Sequence, residues 1–85
     1  MARYRLLIKP SAAKEIEGLP RRDRQRVISR IKSLADDPRC KGCERLSGQE
    51  RYRVRQGRYR IPYTINDAEV VVVVVKVAHR RDVYR

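Results

Sequence analysis

The chain has 85 residues and carries 22 Lys and Arg against 10 Asp and Glu, a formal charge of +12. That length is expected to hold one domain over residues 1–85 with a compact core, and the charge repels itself unless a polyanion neutralises it. No apolar run is long enough for a membrane span, no N-terminal stretch reads as a secretory signal, and two cysteines are too few for a disulfide framework, so a cytoplasmic protein without a membrane partner is expected.

In chain order, Arg3 to Ile8 predicts a first strand, ended by Lys9-Pro10. Ser11 is placed as the N-cap of a short helix over Ala12 to Glu17, with Ala12, Ile16 and Leu19 on one face. Gly18 and Pro20 stop it. A second helix is predicted from Arg21 to Ala35, with Val27, Ile28, Ile31, Leu34 and Ala35 as its apolar stripe. Residues 39–50 form a polar loop holding Cys40 and Cys43. Strands follow at Arg51–Arg55, Arg58–Ile65 and Val70–Val77. Six consecutive valines without polar alternation predict a central strand covered on both faces. The expected fold is α+β, ordered β-α-α-β-β-β. Two N-terminal helices pack on one face of a mostly antiparallel four-stranded sheet, and the other face is a shallow charged groove.

Residues 51–60, RYRVRQGRYR, hold five arginines and no acid. A two-residue turn at Gln56-Gly57 would set Arg55 opposite Arg58, Val54 opposite Tyr59, Arg53 opposite Arg60 and Tyr52 opposite Ile61. Side chains alternate along a strand. Tyr52, Val54, Tyr59 and Ile61 then form an apolar face, and Arg53, Arg55, Arg58 and Arg60 a basic one. Like charges directly opposite each other are destabilising. Such a cluster is either a solvated face or, the sharper reading, one that a phosphate neutralises, and arginine, with 17 copies against 5 lysines, suits bidentate phosphate contacts. If the valine strand pairs beside the arginine hairpin, the C-terminal AHRRDVYR adds His79, Arg80, Arg81, Tyr84 and Arg85 at the rim of the same groove, and a flipped sheet order would move them.

The residue set narrows the chemistry. One histidine excludes a His-pair ribonuclease mechanism, and scattered acids disfavour a two-metal nuclease. Cys40, Cys43 and His79 fall short of the four ligands of a structural zinc site. The CxxC lacks the βαβ setting of a redox motif, so the cysteines are taken as two thiols in a loop. No metal and no cofactor is expected. Arginines around a groove could still cleave RNA: the ribose 2′-OH attacks the adjacent phosphate, leaving a 2′,3′-cyclic phosphate, while guanidinium groups stabilise the charge that develops. Arginine is always protonated, so a proton must move through Tyr84, lowered by surrounding cations, or through His79, whose reference pKa is about 6.5.

The ordered set LIKPSAAKEIEGLP, LADDP, RLSG, YRVRQGRYRIPYTI, the valine run and AHRRDVYR resembles the RelE toxins of the RelE/ParE superfamily over about residues 3–85. The resemblance implies a type II toxin–antitoxin toxin. It would enter the ribosomal A site and cut mRNA there without metal, inhibiting translation, with a RelB-like antitoxin as its neutralising partner. Carried over by motif, the catalytic set is Arg53, Arg55, Arg60, Arg80 and Tyr84, with Arg81 as a register alternative to Arg80. Arg51, Arg58, Lys76, His79 and Arg81 are expected to bind substrate. Some relatives have lysines where this chain has Arg53 and Arg55, so a lysine acid does not carry over. The alternatives are a ParE-like toxin that acts on DNA gyrase without cutting RNA, and an inactive RNA-binding relative.

Overall fold

The computed structural model describes residues 3–46 and 50–79. Strand β1 covers Arg5–Ile8, helix α1 Pro10–Glu17 and helix α2 Arg21–Ser33; strands follow at Glu44–Leu46 (β2), Arg51–Gln56 (β3), Tyr59–Asn66 (β4), Val71–Val74 (β5) and Ala78–His79 (β6). The α+β architecture with both helices on one sheet face is the expected one, and β2 and β6 are short additions to the four expected strands.

Both helices start at a proline. Pro10 takes the first helical position after Lys9, so Ser11 lies inside α1 and is not its cap. Proline suits that position because its φ is preset and the N–H it lacks would have been unpaired. Helix α2 follows Pro20 directly. It stops earlier than Ala35 because its last turn tightens: Leu34 and Ala35 donate to the carbonyls three residues back, Ile31 at 3.0 Å and Lys32 at 3.2 Å.

The sheet order is β1-β5-β4-β3-β2, with β6 also paired to β4. Among the described residues β1 and β5 run parallel and the other pairs are antiparallel. Ala12 and Ile16 of α1 and Val27 and Ile31 of α2 pack on Val54, Ile61, Tyr63, Val72 and Val74, all buried. At about 25 cal/mol per Å² of apolar area, this layer is the main source of stability. The valine strand is central but unequally covered. Val72 and Val74 are fully buried under the helices, whereas Val73 and Val75 remain half-buried on the open face.

The β3–β4 register differs from expectation by one pairing step. Gln56 pairs with Tyr59, Arg55 with Arg60, Val54 with Ile61 and Tyr52 with Tyr63. The turn is Gly57-Arg58, because a two-residue turn with positive φ at its first position needs glycine there, and Gly57 has φ 59°. Alternation survives the shift, so the tyrosines and aliphatics keep the helix face. Arg58 moves into the turn, leaving one arginine pair across the hairpin instead of two.

Pro62 pairs with Arg53. Its carbonyl accepts the Val75 N–H at 2.9 Å, so its backbone points towards β5 and the β3–β4 ladder loses no donor. Beyond Val75 the ladder breaks. Val74 stands opposite Tyr63 and Ala78 opposite Arg60, so residues 75–77 face only residues 61 and 62. The extra residue is a bulge at Lys76-Val77, the kind of site that tolerates proline on the facing strand.

Candidate nucleic-acid interface

The arginines of β3 alternate onto the open face, and Arg60 joins them from β4 as the partner of Arg55. Two strands thus set three guanidinium groups side by side. What they meet is a carboxylate from β2. Glu44, paired with Arg53 across β2–β3, accepts from Arg53 Nη2 at 2.6 Å and lies 3.4 Å from Arg55 Nη2. The hydrogen bond and charge of Arg53, then the charges of Arg55 and Arg60, hold the Glu44 carboxyl below the usual range. Glu44 therefore stays ionised at neutral pH and occupies an anion position among three arginines. Arg53 is largely covered, with 20% of its side chain exposed, and Arg60 is buried at 6%.

Beside this cluster runs a groove of about 350 Å³, lined by Lys9, Leu46, Arg51, Pro62, Thr64, Val73 and Val75 together with the strand backbones at Tyr52 and Tyr63. Its floor is apolar and its rim is basic. Leu7 at 47% and Ile8 at 38% exposure stand on the adjoining edge strand.

The other expected site residues divide. Arg51 lines the groove. Arg58 sits at the hairpin tip and lines a separate groove with Arg22, Asp23, Arg26 and Tyr59, towards α2. Lys76 is turned away from the arginines, its Nζ 2.7 Å from Glu15 of α1. His79 pairs with Tyr59 and meets its ring edge-on, centroids 5.6 Å apart; directly paired residues share a face, so His79 stands on the Tyr59 side. The bulge is the cause. Unbroken alternation from Val75 would have placed His79 with the arginines. The Tyr59 hydroxyl donates to Asp23 at 2.8 Å, which ties that side to α2. Arg80, Arg81 and Tyr84 lie outside the described residues.

Two features escaped the sequence reading. The sequence predicts a loop at Glu44, whereas Glu44–Leu46 pairs with β3. A second basic surface runs along α2, where Arg22, Arg26 and Arg30 line a shallow groove of about 540 Å³ with Gln25, Ser29, Ser33 and Gln56; the spacing of four, one helical face, was its signal. Among the described residues no group of three or more His, Cys, Asp or Glu gathers as metal ligands, and no helix is long and apolar enough to cross a membrane.

Two helices behind a mixed sheet whose open face carries arginines place this fold among the small toxins of the RelE/ParE superfamily, as its RelE-type members. The chain belongs to the family described as ParE toxin of type II toxin-antitoxin system, parDE, which matches residues 6–84. It is similar to the toxin–antitoxin complex RelBE2 from Mycobacterium tuberculosis, with 26% identity, a TM-score of 0.80, and 92% of this chain and 99% of that one covered. The archaeal RelE–RelB complex from Pyrococcus horikoshii OT3 gives 26% identity and a TM-score of 0.80 over 94% and 97% of the two chains. The isolated E. coli RelE toxin gives 26% identity and a TM-score of 0.80 over 95% and 90%. No curated protein matches the chain.

Proposed function

We propose that this toxin is a metal-independent endoribonuclease that cuts mRNA in the ribosomal A site and so stops translation in the cytoplasm. The observation that carries the reading is the pairing of Arg53 and Arg55 with the Glu44 carboxylate on the face that Arg60, opposite Arg55, shares. An RNA phosphate offers the same charge and more acceptor oxygens, and arginine forks bind it bidentately. Arg53 and Arg60 are half-buried or buried, so their field is less screened by water than that of surface arginines. They are placed to stabilise the extra negative charge of the pentavalent phosphate during 2′-OH attack. The apolar floor beside Arg51 suits a base splayed from the strand.

Proton transfer divides among three groups. Tyr84 keeps the role that the family resemblance implies. His79, on the Tyr59 side of the sheet, is not offered to the arginine cluster. Among the described residues, Glu44 is the carboxylate that meets Arg53 and Arg55. Its depressed pKa makes it a weak base but a ready one, ionised at every pH where translation runs.

The neutralising partner is a RelB-like antitoxin, as in the solved toxin–antitoxin complexes from M. tuberculosis and P. horikoshii. Acidic side chains would cover the arginines and apolar ones the groove floor. The deciding assay maps cuts on a defined mRNA by primer extension, with and without programmed ribosomes, beside Arg60→Ala checked for fold by circular dichroism. Ribosome-dependent A-site cuts that vanish in the folded variant are expected. A second reading is favoured by the family match to ParE toxins: a gyrase-directed toxin that cuts no RNA. Intact mRNA together with loss of gyrase supercoiling would select it.

A further inference from the structure

Cys40 and Cys43 remain outside the arginine face. Both are free and half-buried, and both pack against the edge of the core. They are the ends of one β-turn: the Cys43 N–H donates to the Cys40 carbonyl at 3.1 Å. Gly42, third in the turn, has φ 94°, the value a type II turn requires there. Such a turn brings its end Cα atoms within about 7 Å, and disulfides span Cα separations of about 4.4–6.8 Å. Burial, then Cys43 and Cys40, push the Tyr63 hydroxyl up, so both cysteines lie in its neighbourhood. The Arg30 guanidinium lies over the turn, 3.7 Å from where a Cβ on Gly42 would stand. Burial pushes the Cys40 thiol up, and the Arg30 charge works against that shift. The pair is partly exposed, and the Arg30 cation favours the thiolate form against the effect of burial.

We propose that Cys40 and Cys43 form a reversible dithiol–disulfide site that takes small-molecule disulfides of the glutathione class. The Cys43 thiolate attacks one sulfur of the oxidised disulfide and expels one thiolate. The Cys40 thiolate then attacks Cys43 Sγ of the mixed disulfide and expels the second. The protein gives up two electrons and two protons, and the small disulfide becomes two thiols. The bond closes a four-residue ring whose last member precedes Glu44, so its state sets the stiffness of the segment that delivers Glu44 to the arginines. A short, accessible bridge belongs to the labile class of disulfides.

The test uses the full chain equilibrated across ratios of reduced to oxidised glutathione, acid-quenched, alkylated and weighed by mass spectrometry. The expected product is an intrachain species lighter by two hydrogens and blocked to alkylation, which returns to the dithiol with excess reductant. Cys40→Ser should trap the mixed glutathione adduct on Cys43. Oxidation should raise Tm, and the Cys40→Ser/Cys43→Ser double variant should show no redox response. Two alkylatable thiols at every ratio, a disulfide only between chains, or a lower Tm on oxidation would each overturn the proposal. None of these readouts involves RNA, so a failure here is separate from failure of the nuclease reading.

Discussion

Glu15 of α1 accepts the backbone N–H of Val77 on Oε1 at 3.1 Å, while its Oε2 lies 2.7 Å from Lys76 Nζ. One carboxylate thus holds both residues of the bulge. Val77 is 3% exposed, and a bulged residue leaves the ladder, so its N–H needs a partner from elsewhere. Glu15→Ala removes that partner and should cost about 1–3 kcal/mol, the usual penalty for an orphaned buried donor. Glu15→Gln keeps an accepting oxygen and should lose well under half as much. Urea unfolding of the three proteins checks this; equal losses for both variants would assign the effect to charge instead of to the backbone bond.

Arg39 joins the loop after α2 to the β4–β5 turn. Its Nη1 and Nη2 donate to both Asp67 oxygens at 3.0 and 2.8 Å, and Nη2 also reaches Glu50 at 2.9 Å. The Tyr4 hydroxyl adds a bond to Asp67 at 2.6 Å. The Arg39 and Tyr4 hydrogen bonds pull Asp67 from its ordinary 3.8 down to about 2, and the Tyr52 hydroxyl and then Arg39 lower Glu50. A carboxylate with a depressed folded pKa binds fewer protons folded than unfolded. Its stabilisation is present in full above the unfolded pKa and is lost as pH falls through the folded one. Tm should therefore drop between pH 4 and pH 2. Asp67→Asn should lower Tm at neutral pH and flatten this acid limb. An acid limb unchanged in that variant would place the titration elsewhere.

How much of this was legible depended on the length of each pattern. The helices carried several apolar residues at helical spacing, and Val27, Ile31, Ala12 and Ile16 are buried as that spacing demands. The arginine face was equally legible, because alternation at Arg51, Arg53 and Arg55 is independent of register. Register itself was not. Gln56-Gly57 and Gly57-Arg58 both supply a glycine, and only the position of the positive φ separates them. Nor could a valine run disclose its bulge, since identical side chains carry no phase, and the side on which His79 stands, by Tyr59, depends on that bulge. Glu44 was hidden because a three-residue strand is too short for a periodic signal.

Val70 precedes β5 with φ 56°, the one non-glycine residue with positive φ among the described residues. The left-handed region costs an L-residue about 1–2 kcal/mol, and a β-branched side chain is a poor occupant. Its carbonyl accepts the Arg5 N–H at 2.8 Å, where β1 begins its pairing with β5. Val70→Asn, which tolerates this conformation, should raise stability by a few tenths to about 1 kcal/mol. Unfolding midpoints in urea measure it; a loss would mean that Val70 packing outweighs the relieved strain.

Arg55 and Arg58 are both exposed hairpin arginines but belong to different surfaces, the first to the Glu44 cluster and the second to the α2 groove. A phosphate contact to single-stranded RNA contributes about 0.7 to the slope of log K against log salt. Arg55→Ala should reduce that slope by about one contact, and Arg58→Ala should leave it nearly unchanged. Fluorescence anisotropy with a short labelled RNA over a salt series decides. Equal reductions would mean that RNA wraps the hairpin tip, and a flat slope in the unmodified protein would remove RNA from the arginine face altogether.

Glu44 places its carboxylate against Arg53 and Arg55, on the face that Arg60 shares. A phosphate entering that position must displace it or share the arginines with it. Glu44→Gln keeps the shape and removes the charge that faces Arg53 and Arg55. RNA should then bind more tightly, by a few-fold, with a steeper salt dependence as one more phosphate takes the vacated charge. Cleavage should respond in the opposite direction if Glu44 receives the 2′-OH proton, falling about 10²–10⁴-fold as for removal of a general base. Single-turnover cleavage on programmed ribosomes, measured beside RNA affinity, separates the roles. Tighter binding with a lost rate makes Glu44 the proton acceptor; tighter binding at an unchanged rate leaves it a countercharge and assigns proton transfer to Tyr84.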